Sequence, residues 1–199
     1  GEDGYKTSKG FMRMLIPSHA RKIKRYGERV PMFIHYQVEN QLDDLHRPEV
    51  ELKSGGSIVI NPTEALVAID VNSGRATKGR NIEETAKKTN LEAAGEIARQ
   101  LRLRDLAGLI VIDFIDMGDR RNDRLVEKCV KDALKSDRAR IQVGRISPFG
   151  LLEFSRQRLR PSFLELNTSP CVTCSGTGVI RSVESSALQV LRAIEEEGI

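Results

Sequence analysis

The sequence predicts an α/β fold of the α+β type, built on a mixed sheet with one βαβ crossover. Two apolar runs, "ALVAID" at 65–70 and "LIVID" at 109–113, flank a long helical pattern. A strand, a helix and a second strand in this order pair the two strands parallel. A third observation is the turn at 54–56 between two short extended runs, which predicts a hairpin.

Composition sets the class of protein. The chain has 199 residues, of which 39% are hydrophobic and 30% charged, which predicts one sizeable globular domain with room for a small appendage. The net charge of +4 is weak support for a polyanionic partner. The three cysteines indicate a reducing compartment rather than a disulfide scaffold. No membrane-spanning or signal pattern is present, and the abrupt start without Met suggests a piece of a longer chain.

The first part of the chain is the least regular. Residues 5–30 predict a short helix broken by Pro17, and residues 31–46 predict a strand leading into a helix. From Glu49 the pattern becomes clear, with two strands around the turn at 54–56 and a third over 65–71. We expect these three strands to pair antiparallel.

A long helix follows over about 82–105, opened by Asn81 and Glu84 as the start of a capping box. The strand "LIVIDFI" comes next, and its nearly continuous apolar run predicts a central strand covered on both faces. Residues three, four or seven apart form the apolar stripe of the helix: Ile82, Ala86, Ala93, Ile97 and Leu101.

The last third predicts a second helix over about 120–136 and a strand in "ARIQVGRI". The segment "GLLEFSRQRLR" predicts a short helix ended by Pro161. Residues 165–181 are rich in turn residues, and "SALQVLRAI" predicts a C-terminal amphipathic helix.

Two strands end in carboxylates. Asp113 and Asp116 are three residues apart, so alternation places them on opposite faces of one strand. The expected partner of Asp113 in a shared site is instead Asp70, at the end of the adjacent strand, with Asn72 on the same face as Asp70. Two adjacent carboxylates repel unless a proton or cation joins them, and Mg²⁺ is the natural cation. The alternative is structural, with Asp113 capping a helix or accepting a buried arginine; Asp116 fits a turn or a cap.

The stretch "CVTCSGTG" gives Cys171 and Cys174 the spacing of a metal knuckle. Structural zinc needs four ligands, no histidine lies nearby, and Cys129 fits a core thiol on a helix. One chain therefore supplies half of a site, and a second copy would complete a shared four-cysteine zinc site. A redox dithiol or one unit of a multi-repeat zinc domain are the alternatives, but the Ser/Thr/Gly turn favours zinc.

The loop "GRATKGR" follows Asp70 directly, and its cations Arg75, Lys78 and Arg80 suit a phosphodiester beside a Mg²⁺ site. Most other basic residues fit solvated faces. Aromatic residues make up only 5% and there is no Trp, so base stacking is not expected to be prominent.

Three stretches carry a family resemblance: "EALVAIDVNSGRATKGRNIEETAKKTNLEAAGEIARQLRLRDLAGLIVIDFIDM", "DRARIQVGRISPFGLLEFSRQRLRPS" and "CVTCSGTG". The chain resembles the catalytic region of the bacterial ribonuclease E/G family, and most of all its ribonuclease E branch, over nearly its whole length. The resemblance implies the tail of an RNase H-like subdomain at 1–45 and a DNase I-like catalytic subdomain at 46–167. It further implies a zinc-link at 168–181 and the start of a small dimerisation domain at 182–199.

The resemblance also implies a chemistry. Asp70 and Asp113 match the family's Mg²⁺ ligands, with Asn72 as the polar residue beside them. The implied activity is endonucleolytic hydrolysis of single-stranded RNA in RNA processing and decay, leaving a 5′-phosphate and a 3′-hydroxyl. Cys171 and Cys174 match the zinc-link cysteines that join two protomers, although Val172 stands where the family usually has proline.

For partners and location, the resemblance implies a homodimer through the shared zinc, within family tetramers, in the cytoplasm. Full-length members can associate peripherally with the inner membrane, and a disordered tail that this chain lacks recruits degradosome partners. The S1 and 5′-end-sensing domains are also absent, so we expect the segment alone to be weakly active or inactive. The competing hypothesis is a non-catalytic zinc-linked RNA-binding or scaffold module.

Overall fold

The structure is a computed structural model that describes residues 1–74 and 82–198. The helices are α1 Glu2–Leu15, a 3₁₀ helix Pro17–Lys22, α2 Met32–His35, α3 Val38–Asp44, α4 Ile82–Leu103, α5 Arg120–Leu134, α6 Phe163–Asn167 and α7 Val183–Glu197. The strands are β1 Glu49–Glu51, β2 Ser57–Pro62, β3 Val67–Asn72, β4 Gly108–Asp113, β5 Ile141–Ile146 and β6 Leu151–Arg156.

The six strands form one mixed sheet in the order β1-β2-β3-β4-β6-β5. Strands β3 and β4 pair parallel, and every other pair is antiparallel. Helix α4 lies between β3 and β4 in the chain, so the predicted βαβ crossover is confirmed. The hairpin and the antiparallel arrangement of the first three strands are confirmed as well.

The buried core lies between one face of the sheet and the helices α4 and α5. Ile69 of β3 and Ile112 of β4 belong to the same hydrophobic cluster as Ile97 of α4 and Val126 of α5. Among the described residues the opposite face of β4 is open, since Leu109 is 44% exposed. The expectation that β4 is covered on both faces was therefore wrong, because a single helix layer buries only alternate residues of each strand.

The segment predicted as a helix in "GLLEFSRQRLR" is the strand β6, so that prediction was wrong. Leucine, glutamate, arginine and glutamine favour helices in isolation. Here β6 lies between β4 and β5, and Leu152, Phe154 and Arg156 alternate into the core. Pairing with two neighbouring strands satisfies the backbone groups of β6, and this tertiary context overrides local propensity.

The predicted strand within 31–46 is also absent, and α2 and α3 occupy this stretch. Gln37 separates the two helices in a left-handed conformation, with φ of 55°. The two short helices pair their own backbone groups, so this stretch is satisfied without joining the free edge of β1. Only Ala20 is buried within residues 1–44, so this part adds little to the core.

The described helices include none that is long and apolar enough to cross a membrane. In α4 the apolar stripe is buried as predicted from Ala86 to Leu101, but Ile82 at its start is exposed. Asn81, the other half of the predicted capping box, lies outside the described residues.

The end of β3 is held by a close approach of the chain at Gly56. A Cβ atom added to Gly56 would lie 2.6 Å from the carbonyl oxygen of Asn72 and 3.0 Å from a methyl carbon of Thr89 on α4. Thr89 is itself buried. The backbone of β3 therefore lies against the turn before β2, and only glycine fits between them.

A buried ion pair fastens β6 to the segment after α5. The Arg156 guanidinium donates to both carboxylate oxygens of Asp137, at 2.9 and 3.1 Å, and to the Leu106 carbonyl at 2.7 Å. The two side chains of the pair are 4% and 2% exposed. Burial alone raises the pKa of Asp137, but the bonds from Arg156 and the Ala139 N–H outweigh it and lower the pKa.

This ion pair predicts acid destabilisation. The pKa of Asp137 is lower in the folded state, so its contribution is fully present at neutral pH and is lost as the pH falls below the ordinary aspartate pKa of about 4. Asp137→Asn should cost about 3 kcal/mol at pH 7. The difference from wild type should shrink as the pH falls below about 4, as measured by urea unfolding at each pH.

Asp132→Asn is the control, because the Asp132–Lys135 pair is exposed at the protein surface. Its effect on the free energy of unfolding should be much smaller at every pH. An equal loss of stability in the two variants would contradict the role assigned to the buried pair.

Gly56→Ala should destabilise the fold by about 1–3 kcal/mol, since the new methyl group would meet the Asn72 backbone. Gly95→Ala is the matched control on the exposed side of α4, where an added Cβ meets nothing within 4 Å. This control should stabilise the protein by about 0.5–1 kcal/mol through helix propensity. Chemical denaturation measures the free energy of unfolding of both variants. Equal stability of Gly56→Ala and Gly95→Ala would refute the close packing at Gly56.

Candidate functional site

Asp70 and Asp113 lie side by side on adjacent strands. Their Cα atoms are direct register partners in the parallel pairing of β3 with β4. The preceding partners, Ile69 and Ile112, point into the core, so alternation turns both aspartates to the open face. Both aspartates are exposed, and parallel strands lie about 4.8 Å apart, which is close enough for two carboxylates to share one ion.

Asn72 belongs to the same cluster. Its Nδ2 donates to Oδ2 of Asp70 at 2.8 Å, from two residues further along the same face of β3. This bond fixes one carboxylate oxygen of Asp70 and leaves Oδ1 as an available ligand. The cluster of Asp70, Asn72 and Asp113 is called the carboxylate edge below.

The donor set at the carboxylate edge suits a hard cation. No three His, Cys, Asp or Glu side chains gather around one point in the ranges 1–74 and 82–198. Two carboxylates, with water completing the shell, are what Mg²⁺ uses when it also binds substrate phosphates. The residues present therefore fit Mg²⁺ better than an ion that needs an all-protein cage.

The structural alternative for Asp113 finds no support in the described part of the chain. Helix α5 is capped by Asp119, whose Oδ1 accepts from the Arg121 N–H at 2.9 Å. The buried Arg104 donates to Gln100, and the buried Arg156 pairs with Asp137. Asp113 therefore neither caps a helix nor accepts one of these buried arginines.

Asp116 lies in the irregular segment between β4 and α5, as the turn interpretation predicted. It does not cap α5, which Asp119 does. Its Oδ1 lies 3.0 Å from the point where a Cβ would stand on Gly150. Asp116 thus packs against the β5–β6 turn.

A buried asparagine holds the chain just after Asp113. Asn90 of α4 is fully buried, donates from Nδ2 to the Ile115 carbonyl at 2.8 Å and accepts at Oδ1 from the Ile115 N–H at 3.1 Å. The side-chain amide thus pairs with both backbone groups of Ile115, as a neighbouring strand would, and fixes the backbone two residues beyond Asp113. Sequence reasoning missed Asn90, although a polar residue between Ala86 and Ala93 of the apolar stripe was an available signal.

Glu83 makes a second attachment from the start of α4. Its carboxylate accepts from the Gly118 N–H at 2.9 Å, from Nδ2 of Asn122 at 2.6 Å and from the Asp119 N–H at 3.4 Å. The Gly118 bond and then the Asn122 bond lower the pKa of Glu83, so it stays ionised at neutral pH. The loop after β4 is therefore tied to α4 at two points.

The predicted RNA-contacting residues Arg75, Lys78 and Arg80 lie outside the described residues, so their role stays a prediction. The described chain ends at Gly74 on one side of this gap and resumes at Ile82 on the other. Ser73 and Gly74 separate this gap from Asn72, the last residue of β3.

The CxxC segment forms an exposed turn between α6 and α7 with free thiols. Backbone N–H groups of Cys174 and Thr173 donate to the Cys171 sulfur and lower its pKa, which favours the thiolate that binds metal. Ser175, Gly176 and Gly178 have positive φ angles, and these let the chain curl around the sulfur. Cys129 is half-buried on α5 with a raised pKa, caused by burial, as a core thiol should be.

Comparison with known proteins gives matches over almost the whole chain. A family model described as the ribonuclease E/G family matches residues 1–159. A second model, described as the thioredoxin-like domain of RNase E/G, matches residues 170–199. The described residues of that second segment contain the CxxC turn and α7.

Individual relatives agree with the family models. Ribonuclease E of Escherichia coli strain K12 is 60% identical over 183 residues, which is 92% of this chain and 17% of that protein. Ribonuclease E of Haemophilus influenzae is 55% identical over 98% of this chain and 21% of the relative. Ribonuclease G of Salmonella typhimurium is 39% identical over 96% of this chain and 39% of the relative. The chain thus spans less than half of these relatives, and it belongs to the ribonuclease E/G family.

Proposed function

We propose that this chain is the catalytic segment of an Mg²⁺-dependent endoribonuclease that cleaves single-stranded RNA. The observation that carries the proposal is the register pairing of Asp70 with Asp113 on the open face of the sheet. Membership of a family whose relatives are named ribonuclease E and ribonuclease G supports RNA as the substrate.

The proposed reaction is hydrolysis of one phosphodiester bond. A water oxygen bonds to phosphorus, the bond from phosphorus to O3′ breaks, and the proton goes to O3′. The products are a 5′-phosphate and a 3′-hydroxyl. When bound, Mg²⁺ supplies Lewis acidity and lowers the pKa of a bound water. Asp70 and Asp113 would hold the ion, and Asn72 orients Asp70.

The proposal extends to Arg75, Lys78 and Arg80, which lie outside the described residues and which we expect to contact the RNA backbone. Their place in the sequence, shortly after Asp70 at the end of β3, is what supports this role. Phosphate contacts of this kind position a strand without reading its sequence.

Asp70→Asn and Asp113→Asn should each abolish cleavage, because a neutral amide binds Mg²⁺ more weakly than a carboxylate. Asn72→Ala should lower cleavage by about 10- to 100-fold, since Asn72 only orients a ligand. Cleavage of a labelled oligoribonucleotide by the chain, expressed with the flanking sequence of its gene, measures both effects. Isothermal titration with Mn²⁺ measures ion binding directly.

Glu153→Gln is the matched control. Glu153 is an exposed carboxylate on β6 and the register partner of Val111. It lies on the same open face as Asp113, but level with a residue two positions before Asp113 on β4. The Glu153→Gln variant should cleave RNA and bind Mn²⁺ like wild type. Normal cleavage by either aspartate variant would exclude the proposed active site and favour the scaffold alternative, in which the aspartates are structural.

The chain is further proposed to dimerise through zinc. Cys171 and Cys174 are free, and Cys171 favours the thiolate, but two thiols are half of a tetrahedral site. A second copy of the chain supplies the other two. Tetramers of the family type, degradosome contacts through further sequence and a cytoplasmic location with peripheral membrane association belong to the same proposal.

Elemental analysis should find about one zinc per two chains, and Cys171→Ser should release it and shift the mass in solution to that of a monomer. Cys129→Ala is the control and should keep the metal, because this thiol is half-buried on α5 away from the turn. One zinc per chain, or none, would rule out the shared site.

A further inference from the structure

Phe149 is an exposed aromatic side chain at the tip of the turn between β5 and β6. It is 82% exposed, whereas Phe114 and Phe154 nearby are buried. The whole chain has six Phe and no Trp. Single exposed apolar residues are common on proteins, so the exposure of Phe149 gains meaning only from its position.

That position is next to the carboxylate edge. Leu151 is the register partner of Asp113, and Phe149 stands two residues before Leu151 in the chain. Two extended residues span at most about 7 Å. The Phe114 N–H, directly after Asp113, donates to the Gly150 carbonyl at 3.4 Å and ties the turn to the end of β4.

The turn that carries Phe149 is internally bonded. The Ser147 N–H donates to the Leu151 carbonyl at 2.8 Å, and the Gly150 N–H donates to the Ser147 carbonyl at 3.1 Å. The Phe149 N–H donates to Oγ of Ser147 at 3.2 Å. The backbone beneath the ring is therefore fixed, while the ring itself meets solvent. With the backbone already fixed, only the side-chain torsions of Phe149 remain to be ordered when a flat ligand binds to the ring.

A cavity of about 430 Å³ lies beside this turn, with Pro148 and Gly150 in its wall. Arg120, Arg124 and Arg145 also line it, and none of them forms a salt bridge with a described residue. The same wall contains three carboxylates, so the three arginines do not give the cavity a net positive charge. Each arginine can still donate hydrogen bonds to an individual phosphate. These carboxylates are Asp116, Asp123 and Glu127.

We propose that Phe149 is a stacking platform for one base of single-stranded RNA, and that the arginines of the cavity contact the adjoining phosphates. This inference rests on the proposed function, because it takes RNA as the ligand. Stacking accepts any base, since every base has a π-face, so the platform positions the strand without selecting its sequence. The low aromatic content of the chain predicted no prominent stacking, and a single ring beside the carboxylate edge is the exception.

Binding of a fluorescent oligoribonucleotide, measured by anisotropy in EDTA, tests the platform without requiring cleavage. A series of oligonucleotides carries one abasic nucleotide at each successive position. In the wild type, one position should lose about tenfold in affinity when its base is removed. Phe149→Ala should lose about the same for intact RNA and should abolish the extra loss at that position.

Phe149→Tyr keeps the aromatic face and should bind like wild type, whereas Phe149→Leu keeps only the apolar bulk and should behave like Phe149→Ala. The control is Phe11→Ala, which removes another exposed ring, on α1, and should leave binding unchanged. Unfolding curves should coincide with wild type for all Phe149 variants, because the ring is exposed.

The platform is overturned if Phe149→Ala binds intact RNA like wild type, if its abasic series still shows the loss, or if wild type binds no RNA. Failure of the proposed active site has a different signature, namely normal cleavage by Asp113→Asn. Loss of cleavage in Asp113→Asn together with an abasic series unaffected by Phe149→Ala would refute only the platform.

Discussion

The in-register parallel pairing of β3 with β4 is the constraint on which the rest of the molecule depends. It sets Asp70 directly beside Asp113, so two carboxylates of like charge lie together at the ends of two neighbouring strands. The βαβ crossover enforces this pairing, because α4 must cover the core face of both strands. Alternation then leaves the carboxylates on the opposite face, where water and ions can reach them. Unpaired charges on the core face would carry a heavy desolvation cost.

The two faces of the sheet therefore differ in role: one packs against helices, and the other carries the exposed carboxylates. The closed face supplies rigidity, and several of its polar groups act at the strand ends rather than in the apolar centre. Asn90 pins the backbone beyond Asp113, Glu83 holds the loop that follows, and the glycine at 56 lets the turn before β2 lie against Asn72. The open face carries the carboxylate edge, which we propose as the site of the chemistry. Buried hydrogen bonds on one side thus fix the strand ends that carry exposed carboxylates on the other, as the proposed ion site would require.

Most of the central architecture was predictable from the sequence, and the errors have local causes. Strand β3, helix α4 and strand β4 have strong periodicity, so their type and pairing were predicted correctly, and the pairing of Asp70 with Asp113 followed. Strand β6 was predicted as a helix because Leu, Glu, Gln and Arg favour helices, and its alternation is visible only beside β4 and β5. Asn90 and Phe149 were missed because their importance comes from neighbours distant in the chain.

The sequence by itself determined the periodicities, the strand ends at which carboxylates stand, the CxxC turn and the resemblance to the ribonuclease E/G family. These are short-range properties, since side-chain alternation and turn chemistry act over a few residues. Only the tertiary structure decided that β6 lies between β4 and β5, that one face of the sheet is open, and which buried polar groups hold the strand ends. Strand order and burial depend on contacts between residues far apart in the chain, and no local pattern encodes which segment will occupy a free sheet edge.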